Sequence, residues 1–437
     1  SDVYKRQALD YPQDKLEIQI LDDSTDDTTE QCYRKVEELK SRGFDAVCIH
    51  RTDRTGFKAG ALEAATKVAK GEFLLILDAD FVPEPDLLQK TIHFFTDENV
   101  GLVQTRWGHI NREYNLLTRI QGMYLDGHFA MEQTARNRSG RFFTFNGTAG
   151  IWRKCVIGDA GGWSHDTLTE DMDLSYRVQL KGWRFIYLND VVTPAELPVD
   201  MDGFKSQQHR WTKGSIQVCQ KILLDIWRSN APLKAKVEAT THLTCNYSYL
   251  LLALLCFLVY PICTQRIPEN ETVFMWFVNV ALFFMTSVAV CIFYMSAQIV
   301  VRPKSWWKEL PYLPLLLTLS VGMAVNNAKA VLEAIFGHQS AFVRTPKYGV
   351  DRKEDRRHVS QLKRNGYRAI KSVVIPVLEI ACGTFFLNLI IIMIRQGHYL
   401  SPILMIPFLG FYYTGFCSLG RMISNLLPAK QTAKAKN

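Results

Sequence analysis

The stretch Phe73-Leu74-Leu75-Ile76-Leu77-Asp78-Ala79-Asp80 decides the fold. Five uninterrupted apolar residues read as a short strand covered on both faces, as in the centre of a parallel sheet. Two carboxylates one residue apart follow at its carboxyl end, where open α/β sheets place their ligands. Such a pair can hold a hard divalent cation, Mg²⁺ or Mn²⁺, against a diphosphate, since this cation takes one or two carboxylates together with substrate phosphates. The plain alternative is a strand-end turn with solvated acids.

Working outward, Glu17–Leu21, Ala46–Ile49 and Val100–Gln104 also read as strands. The runs Asp27–Ser41, Phe57–Ala69 and Asp86–Phe95 read as helices with charges on the open face. This alternation predicts an α/β, Rossmann-like doubly wound sheet. Asp22-Asp23 falls at a second carboxyl end, where a nucleoside would be gripped. Capping by Ser24 or Thr25 and dipole-favoured acids explain Asp26 and Asp27 but do not require that pair. Gly56-Phe-Lys58-Ala-Gly60 opens a helix, so Lys58 either neutralises a phosphate there or belongs to a simple turn.

Thr169-Glu170-Asp171 enters a helix over Met172–Lys181. Thr169 as N-cap with acids in the first turn is one account. The other makes one carboxylate, Asp171, the general base for a sugar hydroxyl. In Gln207-Gln-His-Arg210-Trp211, Trp211 offers a face for a pyranose ring and Arg210 a fork for a diphosphate. Tryptophan and arginine beside a bilayer are also ordinary interfacial anchors.

A bilayer is expected because much of 240–427 is apolar, although mean hydropathy over all 437 residues is only -0.04. Spans are expected near 243–262, 273–300, 373–394 and 403–427, each close to the roughly 20 residues that cross a hydrocarbon core. Residues 337–371 hold ten Lys/Arg against three acids and should be cytosolic. A full crossing by 312–336 would put them outside. That segment, which carries Asn326, Asn327, Lys329 and Glu333, is therefore read as interfacial or incompletely crossing. The expected organisation is a catalytic domain over 1–235 and a membrane domain over 236–437.

The net charge of +8 needs no nucleic acid, since the basic stretches lie between apolar segments. Ten cysteines show no metal-type spacing. The chain reaches its first strand almost at once, so an earlier strand of the sheet is expected upstream. Nothing here sets an oligomeric state.

The four motifs, DD, DxD, TED and QxxRW, in this order and followed by apolar spans, resemble the processive membrane glycosyltransferases of family 2, which include cellulose, hyaluronan and chitin synthases. The resemblance covers nearly the whole chain and implies a GT-A catalytic domain followed by an α-helical transmembrane domain. It implies that Asp22 or Asp23 contacts the base, Lys58 the diphosphate side, and Asp78 and Asp80 the nucleotide and metal. Asp171 would be the base within Thr169-Glu170-Asp171, and Gln207, Arg210 and Trp211 would contact donor and acceptor sugar. Phe145-Asn146-Gly147-Thr148 resembles the acceptor-end motif FCGS of cellulose synthases. Phe342-Val-Arg-Thr345-Pro-Lys347 resembles the gating-loop motif FxVTxK. Asn146 and Arg344 depart from those patterns and look more like the cellulose synthase-like mannan and glucan synthases and their bacterial relatives.

The resulting expectation is an inverting, metal-dependent hexosyltransferase in the inner or plasma membrane, with a cytosolic catalytic domain. It would extend a β-linked polysaccharide from a nucleotide sugar, UDP-glucose favoured and GDP-mannose possible. The rivals are a non-processive enzyme acting on a lipid and a catalytically silent membrane scaffold.

Overall fold

The computed structural model describes residues 9–264, 288–338, 345, 347–350, 373–395 and 402–426. Strand β1 (Glu17–Asp22) pairs in parallel with β2 (Asp45–His50), bringing Asp22 opposite His50. Helix α1 (Thr28–Ser41) connects them, and α2 (Phe57–Val68) leads on to β3 (Phe73–Ile76). The short α3 (Leu87–Thr91) precedes β4 (Val100–His109). With β5 (Gly150–Arg153) and β6 (Arg184–Ala195) these form a four-stranded sheet of order β3-β5-β4-β6.

The sheet is mixed. β4 and β6 are parallel, whereas β5 runs antiparallel to both its neighbours. Its four residues follow a sharp corner at Gly147 (φ +80°) and Ala149 (φ +57°), which turns the chain back between β3 and β4. The left-handed region suits glycine and is costly for alanine, so the surroundings must hold Ala149 there. Gln104 of β4 does much of that. Its buried amide donates to the carbonyls of Thr105, Thr148 and Ala149 and accepts from Asn146 N.

Trp152 of β5, fully buried, anchors the core and meets Phe145, Trp163 and Phe185 edge-on. Removing an indole of this kind costs about 3–5 kcal/mol. Helix α4 (Leu116–Asp126) starts at a capping box, in which Asn115 and Thr118 exchange side-chain and backbone bonds. It runs through a π-helical turn, Gly127–Gln133, into α5 (Thr134–Arg138). After β5 come α6 (Lys154–Asp159) and α7 (Glu170–Leu180).

The 28-residue α8 (Met201–Arg228) is capped by Asp200. One side packs on α7 and another on the C-terminal helices. Helices α9 (Leu233–Thr244), α10 (Ser248–Thr264), α11 (Val288–Val301), α12 (Leu313–Gly322), α13 (Ala324–Ile335), α14 (Val374–Arg395) and α15 (Pro402–Leu426) follow. Three stretches among the described residues, Leu233–Pro261, Trp306–Ile335 and Val374–Arg395, are long and apolar enough to cross a bilayer.

The polar half of 312–336 has a packing reason. Glu333 pairs with His209 and Lys213 of α8, and Asn326 Nδ2 donates to Lys205 O. Lys205 Nζ in turn lies 2.5 Å from Glu379 of α14, both fully buried. Removing one partner of such a pair is costly, so these contacts fix how α8 seats on the helices. Of the expected 273–300 span only 288–300 is described, and most of the 337–371 loop lies outside the described residues.

Candidate active site

Lys58 is the hub of the site. Glycine at 56 takes φ +75° as the N-cap of α2 and lets the chain enter the helix with Lys58 in its first turn. The ammonium lies 2.5 Å from Asp78 Oδ1 and donates to Gly147 O at 2.9 Å. Burial pulls its pKa down, but the charges of Asp78, Glu170 and Asp171 raise it overall. Asp78 N donates to Thr148 Oγ1 at 2.9 Å, so the corner before β5 holds the DxD turn directly.

Asp171 stands against the same corner: a Cβ placed on Gly147 would lie 2.9 Å from its Oδ2. Its other oxygen accepts from Met172 N at 2.8 Å. Burial, reinforced by the neighbouring Glu170 carboxylate, pushes the Asp171 pKa up to about 7. Glu170 is raised too, again chiefly by burial. A carboxyl tuned toward neutrality in this way suits proton transfer.

The capping account of Thr169 fails. It occupies the N-cap position of α7, yet its side chain makes no capping bond and its buried hydroxyl has no hydrogen-bond partner. Thr169 instead packs on Gly214 of α8, where any Cβ would collide with it. On α8, Gln207, Arg210, Trp211 and Gly214 recur at helical spacing on one face, so this contact turns the QxxRW face toward α7. Trp211 packs partly buried against the core cluster, and the Arg210 charge reaches Glu170.

Asp22 and Asp23 are both already engaged. Asp22 accepts from Ser24 N at 3.0 Å, Thr29 Oγ1 at 2.8 Å and the Ser24 hydroxyl, and it pairs with His50 Nδ1 at 2.7 Å. Burial alone would raise its pKa, but these bonds bring it down to about 2. Asp23 takes both arms of Arg51, at 2.9 and 2.6 Å. Arg51 also donates to Thr55 O and Phe57 O, and Gly60 leaves the space its guanidinium fills. His50 and Arg51 were not singled out in the sequence, although they close β2 at a third ligand-facing strand end.

The FNGT residues divide their work. Phe145 is buried in the core, and Thr148 is buried on Asp78 N; neither side chain is exposed to an acceptor. Asn146 is half-buried, its amide fixed by Gln133 Nε2 at 2.7 Å and His128 Nε2 at 3.1 Å from the π-helical turn. In the second motif Phe342 lies outside the described residues, and Thr345 is half-buried. Lys347 reaches Asp80, its Nζ 2.7 Å from Oδ2.

That Asp80 oxygen is buried and takes part in no hydrogen bond among the described residues. A hard anionic oxygen paired only by charge fits a divalent cation. No group of three or more His, Cys, Asp or Glu side chains could hold a metal among the described residues. Donor phosphates would therefore have to complete the coordination shell at Asp78 and Asp80.

A GT-A-type sheet with these carboxylates at its ligand edge defines a glycosyltransferase. The profile of "Glycosyl transferase family group 2" matches residues 73–325, and the chain belongs to that family. It is similar to "Glucomannan 4-beta-mannosyltransferase 2" of Arabidopsis thaliana, at 44% identity over 227 residues, 51% of this chain and 42% of that protein. It is also similar to "Glucomannan 4-beta-mannosyltransferase 1" of Oryza sativa subsp. japonica, at 41% identity over 245 residues, 55% of this chain and 46% of that one. These alignments thus span less than half the length of the curated relatives. Among solved structures, the mannosyltransferase PcManGT of Pyrobaculum calidifontis, in complex with GDP-Man and Mn²⁺, shares the fold. The match has TM-score 0.52 and 19% identity, covering 77% of this chain and 83% of that one.

Proposed function

We propose that the protein transfers mannose from GDP-mannose to the end of a β-linked polysaccharide, inverting the anomeric carbon. The observation that carries the chemistry is the meeting of Asp171, its proton affinity raised, with Lys58, Asp78 and the Gly147 corner. The donor follows the relatives. Both curated relatives are named mannosyltransferases, so the preference for UDP-glucose drawn from the sequence gives way to GDP-mannose.

Asp171 takes the proton of the acceptor hydroxyl as that oxygen bonds to the anomeric carbon. The bond from that carbon to the diphosphate oxygen breaks, and its electron pair leaves with GDP. A single displacement turns an α-linked donor into a β-linked product. Lys58 supplies positive charge on the diphosphate side, and Trp211 a face for the sugar ring. Asp78 and Asp80 would hold Mn²⁺ or Mg²⁺, which when bound neutralises charge developing on the departing diphosphate. Asp22 and Asp23 serve the base indirectly, by fixing His50 and Arg51 at the end of β2.

We place the protein in a bilayer as a multi-pass enzyme with its catalytic domain in the cytosol, where nucleotide sugars are. Membranes carrying the protein, given labelled GDP-mannose, should yield long mannanase-sensitive glycan. A single labelled sugar on lipid would instead support the lipid-directed rival.

A further inference from the structure

We infer that Lys347 is the counter-cation of Asp80 when no divalent ion is bound, that Glu196 seats it there, and that metal arriving with nucleotide displaces it. The inference rests on Asp78 and Asp80 being the metal and nucleotide site.

Among the described residues Asp80 Oδ2 faces one cation, the Lys347 ammonium, at 2.7 Å and makes no hydrogen bond. Lys347 does not reach it by chance. Its Nζ also donates to Glu196 O at 2.5 Å. The next two residues turn their backbone onto the same side chain: Tyr348 N and Gly349 N donate to the two Glu196 carboxylate oxygens, each at 2.9 Å. Gly349 takes φ +65°, which gives the turn its shape. Tyr348 and Val350 are buried with Tyr114 and Val199 of the catalytic domain, and the Tyr348 hydroxyl donates to Asp200 at 3.3 Å. Glu196, buried just past β6, thus acts as a socket for 347–349.

One oxygen cannot take an ammonium and a divalent cation at the same point. The lysine pair is partly exposed, 31% for Lys347 and 17% for Asp80, so it is weak enough to give way. Lys347 would then be a positioning residue that holds the Asp80 carboxylate in place, and Glu196 the residue that returns it.

The test is Mn²⁺ binding to the full chain in detergent, followed by electron paramagnetic resonance with and without GDP. Lys347→Met should bind Mn²⁺ about 2- to 5-fold more tightly without GDP, the range expected for loss of one partly exposed pair. Glu196→Gln discriminates. It removes a negative charge near Asp80, which by charge alone weakens cation binding, whereas unseating Lys347 strengthens it. Tighter binding in both variants supports the inference, with retained GDP binding showing that both are folded. Tightening in Lys347→Met together with weakening in Glu196→Gln is what charge alone would do, and it overturns the inference. Unchanged affinity in Lys347→Met overturns it as well. If the wild type binds no Mn²⁺ even with GDP, the metal-site reading itself fails.

Discussion

Gly147 and Asp171 approach so closely that a single added methyl on Gly147 would stand 2.9 Å from Asp171 Oδ2. The corner before β5 and the start of α7 therefore form one surface. Gly147 is required there for two reasons, its φ of +80° and this contact. Gly147→Ala should displace Asp171 or flatten the corner. Transfer should fall by roughly 100-fold, the scale of a 1 Å misplacement, while the protein stays folded with about 1–2 kcal/mol less stability. Turnover and thermal melting measured on one preparation check this. Near-normal turnover would mean that the close approach has no catalytic consequence.

Asp171→Asn should lower kcat/KM by about 100- to 10,000-fold, the span of general-base contributions. The wild-type pH profile adds a second reading. With its pKa near 7, Asp171 is protonated and inactive as a base at lower pH, so kcat/KM should rise with pH through about 7. The stability sign is opposite. A carboxyl whose folded pKa is raised contributes stability below its unfolded pKa, lost as pH rises through about 7. Asp171→Asn should therefore melt higher than wild type at pH 8 and about equally at pH 4. A flat activity profile between pH 6 and 8 would remove Asp171 from the role of base.

Arg51 joins Asp23 to the turn that opens α2, and Gly60 makes room for its guanidinium. Arg51→Lys loses the two-armed contact, since an ammonium cannot span both carboxylate oxygens. Gly60→Ala should press on Thr55 O as well as on the same guanidinium, 2.6 Å from the added methyl. Both variants should raise the donor KM by about tenfold, the scale of one charge-assisted bond, with a smaller change in kcat. Titration of GDP binding by calorimetry checks it. Different behaviour in the two variants would show that Gly60 serves the helix and not Arg51.

Strands β1 to β4 were placed by their apolar residues, but β3, expected at the centre of a parallel sheet, lies at the edge of the described four-stranded sheet against antiparallel β5, and β4 runs on to His109, past the expected Gln104. Strand β5 was not legible. Gly150–Arg153 is four residues long, and what creates it is a backbone corner held by Gln104, whose bonds join distant parts of the chain. Local pattern misled at Thr169, which looks like a helix cap but packs on Gly214 instead. It also left 312–336 ambiguous, because Asn326 and Glu333 there face α8. Lys58, Asp78 and Asp171 were each singled out from motifs, and their meeting in the structure depends on Gly147 and Thr148. That the Phe145 and Thr148 side chains turn inward needed the fold, since a motif does not say which of its side chains support the backbone.

Metal-dependent transfer of mannose, with Asp80 at the metal, is the reaction proposed. It is tested most directly by incubating membranes of the wild type and of Asp80→Asn with labelled GDP-mannose or UDP-glucose, with Mn²⁺ or with EDTA. Mannanase-sensitive polymer should form only from GDP-mannose and only with the metal, and should be reduced about 100-fold or more in Asp80→Asn. Polymer formed from UDP-glucose alone, or unaffected by EDTA and by Asp80→Asn, would contradict it.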